Sequence, residues 1–208
     1  MQPVAASGER TVVEALRAGD EEVFRALVAD LGPSMLRIAR QYVSSRAVAE
    51  EVVQETWLGV LRGLDRFEGR SSLKTWIFRI LANIAKTRGI REGRTVPFSS
   101  LENDAGDEPA VAPERFLPDD SRFPGHWAAP PRRWEGAERL VARETLDVVE
   151  RAIAKLPPAQ AIVLTMRDVE GFDAADVCNT LDISETNQRV LLHRARAAVR
   201  RALEEYLR

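Results

Sequence analysis

Asp173-Ala-Ala-Asp-Val-Cys-Asn-Thr-Leu-Asp-Ile-Ser-Glu-Thr-Asn187 reads as a helix, a three-residue turn and the start of a second helix. Ala174, Val177 and Leu181 recur at the spacing of one buried helical face, and Ile183 fills the turn. Asp173 and Ser184 stand where a side-chain oxygen can accept bonds from the free amides of a helix start. The second helix continues as Arg189-Val-Leu-Leu-His-Arg-Ala-Arg-Ala-Ala-Val-Arg-Arg201, a strongly basic run. In a helix-turn-helix unit the second helix enters the DNA major groove and its N-terminal side chains meet base edges. Ser184 and Glu185 open that helix. Asn187 and Gln188 suit adenine, and Arg189 suits guanine or a phosphate. Arg194, Arg196, Arg200 and Arg201 are expected to neutralise phosphates, which adds affinity without sequence choice. The plainer alternative is a packed helical pair with a solvated basic end.

Outward from this motif, the whole chain of 208 residues is patterned for helices, because apolar positions recur at three and four and do not alternate. An all-α fold follows. The formal net charge of −2 conceals a segregation: the last helix is basic, while the stretch from Glu102 to Asp120 is acidic. Local fields steer association, so the near-neutral sum does not argue against nucleic acid. Cys178 is the single cysteine, which rules out an internal disulfide and, with His126 and His193 far apart, leaves no zinc-ligand spacing. No cofactor or metal is expected. No apolar run approaches the roughly 20 residues that span a bilayer, and the N-terminus lacks the apolar core of a signal peptide. A cytoplasmic protein without membrane insertion is the expectation.

Three parts are expected along the chain: helical at 11–95, non-helical at 96–138, helical again at 139–207. In the first part Thr11–Ala18 forms a short helix ended by Gly19, and Asp20 caps the next. That second helix is expected to break or bend at Gly32-Pro33. A third runs from about Ala47 to Leu64 and a fourth follows Ser71-Ser72, enough for a core of their own. The middle part holds Pro97, Pro109, Pro113, Pro118, Pro124, Pro130 and Pro131, a density that suits an extended linker. Its Trp127 and Trp134 are unusual for a tether and suggest that part of it docks on the two domains and inhibits DNA binding. The last part adds helices at about 137–155 and 159–168 before the helix-turn-helix.

Three further stretches carry a resemblance. Leu156-Pro-Pro-Ala-Gln-Ala-Ile-Val-Leu-Thr-Met-Arg-Asp-Val-Glu-Gly-Phe172, with the Ser184 turn and Leu192-His-Arg-Ala-Arg196, resembles region 4 of the extracytoplasmic-function sigma factors of bacterial RNA polymerase. In that family region 4 binds the promoter −35 element. Asn187, Gln188, Val190 and Leu191 depart from the family's Thr, Val, Ser and Arg, so the −35 preference does not carry over. Ala49-Glu-Glu-Val-Val-Gln-Glu-Thr-Trp-Leu-Gly-Val-Leu61 resembles the heart of region 2, whose helix binds the coiled coil of the polymerase β′ subunit. The resemblance puts Glu50, Glu51, Gln54, Glu55 and Leu58 on the polymerase. Acidic and amide groups beside an apolar edge suit a partly basic helix pair, although a merely solvated acidic face is common.

Phe67-Glu-Gly-Arg-Ser-Ser-Leu-Lys-Thr-Trp-Ile-Phe-Arg-Ile-Leu-Ala-Asn83 is similar to the segment that holds the −10 element. There the family receives a base flipped from the non-template strand. The resemblance makes the loop Glu68–Ser72 a pocket wall, sets Lys74, Arg79 and Arg88 on phosphates, and Asn83 on a base or sugar. Trp76 fits a core position better than a stacking platform by its spacing with Ile80 and Asn83. The family's Asp four residues after the Asn is Thr87 here. The implied partners are core RNA polymerase through its β and β′ subunits, promoter DNA, and an anti-sigma protein in some members. Two rivals stay open at this point: a helix-turn-helix regulator with a sensing or dimerising N-terminal domain, and a helical enzyme. The second lacks any His/carboxylate pair or phosphate-cradling loop.

Overall fold

The computed structural model describes residues 4–94, 96 and 140–207. Among these there is no strand, and eight α-helices form two groups. The first group is α1 (Val4–Arg17), α2 (Glu21–Tyr42), α3 (Arg46–Gly63) and α4 (Leu73–Arg91), with a 3-10 turn at Leu64–Arg66. The second is α5 (Leu140–Lys155), α6 (Pro158–Leu164), a wide π-type turn at Thr165–Val169, α7 (Ala174–Leu181) and α8 (Glu185–Tyr206). Of the expected linker only Val96 is described; its acidic residues, Trp127 and Trp134 lie outside the described residues.

Capping explains most of the boundaries. The Asp20 carboxylate accepts from the Glu22 and Val23 amides at 3.0 and 3.1 Å and starts α2. Ser45, Ser72, Asp173 and Ser184 do the same for α3, α4, α7 and α8. α1 is longer than its sequence pattern suggests. Its end is pinned by Arg17, which donates to the Leu64 and Phe67 carbonyls at 3.2 and 2.6 Å.

The expected break at Gly32-Pro33 does not occur: α2 continues as one helix through Pro33. Proline removes one amide donor, but Leu31, Met35, Ile38, Ala39 and Tyr42 bury one face of α2 on both sides of it. Pro33 itself is exposed, so water can serve the carbonyl left without its donor. Tertiary packing outweighs the local defect.

In the first group Met35, Ile38, Val52, Val60, Ile77, Phe78 and Leu81 form the core, all but sealed from solvent. Phe24 meets the Trp57 ring edge-on at 5.6 Å. The second group is built on Ile162, Val163, Met166, Val177, Leu191 and Ala195. Between α7 and α8, Asp182 adopts the left-handed conformation at φ 57°, which closes the turn. The groups also meet one another: α7 lies on α4, and α6 on α2.

Candidate nucleic-acid and polymerase interfaces

On α3 the inward residues are Ala49, Val52, Thr56, Trp57 and Val60. Glu50, Glu51, Gln54, Glu55 and Leu58 therefore fall together on the outer face, and all are exposed. Leu58 is 52% and Leu61 50% exposed, so this face pairs carboxylates with apolar side chains held in water. Leu61 lies one turn beyond Leu58 and extends the same exposed edge. Arg88 reaches across from α4 to Glu51 at 3.3 Å and Glu55 at 3.8 Å. A residue expected on DNA thus rests on the acidic face.

Between the loop after the 3-10 turn and α4 lies a cleft of about 600 Å³. Phe67 and Trp76 form one wall, their ring centroids 5.0 Å apart. Trp76 is half-buried, with Gly63 beneath it: a Cβ there would come within 3.1 Å of the indole. It is at once a packed residue and cleft lining. Arg66, Arg70 and Arg79 ring the opening, with Glu68 paired to Arg70 at 3.0 Å. Asn83 is exposed and lines both this cleft and a smaller one beside Arg88 and Arg91. The cleft's last contributor comes from the other group: Asn179 of α7.

Lys74 does not project into the cleft's solvent. Its Nζ donates to the Glu170 carbonyl at 2.9 Å and stands 4.4 Å from the centre of the Phe172 ring. The Glu170 carboxylate accepts from Arg37 Nε at 2.9 Å and from the Ser34 hydroxyl. Phe172 meets Phe78 edge-on at 5.0 Å. The sequence marks none of Glu170, Phe172, Ser34 or Arg37 as a site residue; Glu170 and Phe172 appear there only within the stretch that resembles region 4.

The helix-turn-helix forms as expected, but two of its side chains turn the other way. Asn187 and Gln188, expected on base edges, are each only 4% exposed. The register explains it: Gln188, Leu191, Leu192, Ala195 and Val199 share the inner stripe of α8, and Asn187 sits one turn before Leu191. Glu185, Arg189 and Arg196 are exposed, as is the capping Ser184, and Arg194 is half-buried. Arg196 grips the Asp168 carboxylate through both Nε and Nη2, at 2.8 and 2.7 Å, tying α8 to the π-type turn. That pairing holds the Arg196 guanidinium still more firmly in its charged form.

Two family models match the chain: Sigma-70 region 2 over residues 27–95, and Sigma-70 region 4 over residues 146–199. The chain belongs to the sigma-70 family, as an extracytoplasmic-function sigma factor. It is 28% identical over 201 residues to the RNA polymerase sigma-H factor of Pseudomonas aeruginosa, with 96% of each chain aligned. It is 27% identical to the ECF RNA polymerase sigma-E factors of Salmonella typhimurium and Escherichia coli K12, again over 96% of each. Two solved structures share the fold. CnrH in complex with the cytosolic domain of CnrY has a TM-score of 0.57 at 20% identity, covering 95% of this chain and 97% of that one. The sigma factor RpoE of Bartonella quintana, in complex with the anti-sigma factor NepR, has a TM-score of 0.55 at 21% identity, covering 87% and 96%.

In these terms the α3 face and the cleft both lie in region 2 of the sigma factor, and the helix-turn-helix lies in region 4. Among the described residues no group of His, Cys, Asp and Glu could hold a metal ion, and no helix is long and apolar enough to cross a membrane.

Proposed function

We propose that region 2, over residues 11–95, grips core polymerase with α3 and melted −10 DNA with the cleft, while region 4, over residues 139–207, anchors the −35 duplex. Promoter recognition and transcription initiation with RNA polymerase are the activity of the family to which the chain belongs. The observation that carries the finer reading is one continuous surface of region 2. A face of carboxylates, Gln54 and exposed Leu58 adjoins a cleft with an aromatic wall and an arginine rim. A face of that kind fits a partly basic helix pair. A cleft of that kind fits an unstacked base, whose extrusion costs a few kcal/mol, offset by stacking and by bonds to its edge.

In this assignment Arg79 and Asn83 hold the strand at the cleft, with Lys74 and Arg88 joining once their present partners release them. Glu185 and Arg189 project from the start of α8 towards base edges, and Arg194 serves phosphates. The protein's own contribution is binding without bond-making chemistry, performed in the cytoplasm. An anti-sigma protein is an expected partner, since RpoE was determined with the anti-sigma factor NepR and CnrH with the cytosolic domain of CnrY. The test is to mix the full chain with core polymerase and a promoter library and to sequence the RNA 5′ ends. Initiation at defined sites sharing two spaced elements is the expected result; starts no different from core enzyme alone would overturn the reading.

A further inference from the structure

The cleft wall from Glu68 to Ser72 is a loop whose own bonds are short-range. Glu68 pairs with Arg70 at 3.0 Å, and the Ser71 hydroxyl reaches the Ser72 carbonyl at 3.4 Å. Gly69 turns the chain within it at φ 70°. The span from Phe67 to Leu73 can stretch to about 20 Å, so such local bonds leave the shape of the wall open. What closes it comes from α1. Arg17 donates through Nη2 to the Phe67 carbonyl at 2.6 Å, and through Nε and Nη2 to the Leu64 carbonyl at 3.3 and 3.2 Å. Glu9 accepts from the Leu73 amide, one of the amides that the start of α4 leaves without a helical partner.

Each of these bonds holds a rigid peptide plane. Arg17 sets the plane between Phe67 and Glu68, and with it the direction in which the loop leaves the aromatic wall. Glu9 sets the plane between Ser72 and Leu73, where the loop enters α4. Both side chains stand on one helix, about 12 Å apart along its axis, and Val13 and Leu16 bury that helix in the core. α1 precedes residues 27–95, over which the region 2 model matches, and neither Glu9 nor Arg17 is among the residues that line the cleft. We propose that Arg17 and Glu9 are positioning residues for the base pocket: α1 is a brace of fixed length that holds the Glu68–Ser72 loop at the width an extruded base requires. A loop without its brace samples many widths, and a base that must first order it binds less tightly. The brace acts only if the cleft takes an unpaired base, and so rests on that assignment.

The test removes one base at a time. The full chain is assembled with core polymerase, and 5′-end mapping with wild type supplies a promoter. Its non-template strand across the −10 region is made as a labelled single strand, and as a set in which each base in turn is replaced by an abasic sugar. Wild type is expected to lose at least about tenfold in affinity at one position, the size of one lost stacking contact. Arg17→Ala and Glu9→Ala are expected to shrink that penalty to about threefold or less. Arg17→Lys still donates to a carbonyl and Glu9→Gln still accepts through its amide oxygen, so both keep most of it. Glu14→Ala, exposed on the same helix, keeps all of it. A variant that is merely less stable binds through its folded fraction, so its affinity falls alike on every strand and the ratio between strands does not move. Undiminished penalties in both alanine variants overturn the brace and leave the sigma reading standing. If Arg17→Ala does not fold, Glu9→Ala against Glu9→Gln decides by the same ratio. If wild type initiates at defined sites yet shows no penalty at any position, the base assignment of the cleft falls and the brace with it. If mapping finds no defined starts, the sigma reading itself falls, and the brace again goes with it.

Discussion

Gly89 of α4 lies hard against the end of α2: a Cβ there would lie 2.6 Å from the Tyr42 carbonyl oxygen, a backbone atom that cannot swing aside. Overpacking of this kind costs about 1–3 kcal/mol, offset by up to about 1 kcal/mol from alanine's better helix propensity. Gly89→Ala is therefore expected to lower the urea midpoint, and an unchanged midpoint would show that the helices part freely. The same seam carries a titrating group. Glu92, at the C-cap of α4, accepts from the Ser44 amide at 2.9 Å. Hydrogen bonding from Ser44 holds its carboxyl below the usual range, with Arg88 and Arg94 adding to the effect. With the folded value below the unfolded one, this contribution is full above the ordinary carboxylate range and fades as pH falls through the folded value. Melting curves of Glu92→Gln and wild type should then differ near neutral pH and converge in acid; a constant gap would assign the difference to packing. Neither position was legible in the sequence, because a close approach between helices more than forty residues apart leaves no local pattern. Asn187 and Gln188 misled for a related reason. Their chemistry suits adenine, but the register of α8 turns them inward, and register outranks residue type.

Helix by helix, the sequence was a better guide. α3, α4, α7 and α8 begin at the serine and aspartate caps that their apolar periodicity announces, since capping and burial are both decided within a few residues. α2 escaped at Pro33 because the interactions that carry it past a missing donor come from other helices. The wide turn at Thr165–Val169 escaped too, since periodicity cannot separate it from the end of α6. Two predictions belong to these helices. Glu51→Arg with Gln54→Ala reverses charge on the outer face of α3 without touching its buried residues. Binding to core polymerase should fall at least about tenfold while circular dichroism stays at the wild-type level; undiminished binding would remove α3 from the interface. For α8, Arg189→Ala is expected to weaken binding of the polymerase complex to its promoter duplex. If Arg189 reads a base, the loss is about 1–3 kcal/mol and confined to promoters carrying that base. If it holds a phosphate, the loss is uniform and the salt slope falls by about one.

Across the whole molecule, the division into two helical units was readable, because each carries its own apolar stripes. Their closed arrangement was not. Ser34 and Glu170 are separated by 136 positions, and nothing in either segment announces the other. A direct check is to attach a donor dye to the native Cys178 of α7 and an acceptor to Arg25→Cys on α2, labelling the more exposed site first. Energy transfer should be high in the free protein and drop when core polymerase is added; a signal indifferent to polymerase would mean that the regions do not separate.

The reach of Arg88 across to Glu51 and Glu55 also couples two surfaces. Any partner whose cations claim those carboxylates leaves the guanidinium unclaimed beside Asn83, so docking on one face sharpens the pull of its neighbour on a polyanion.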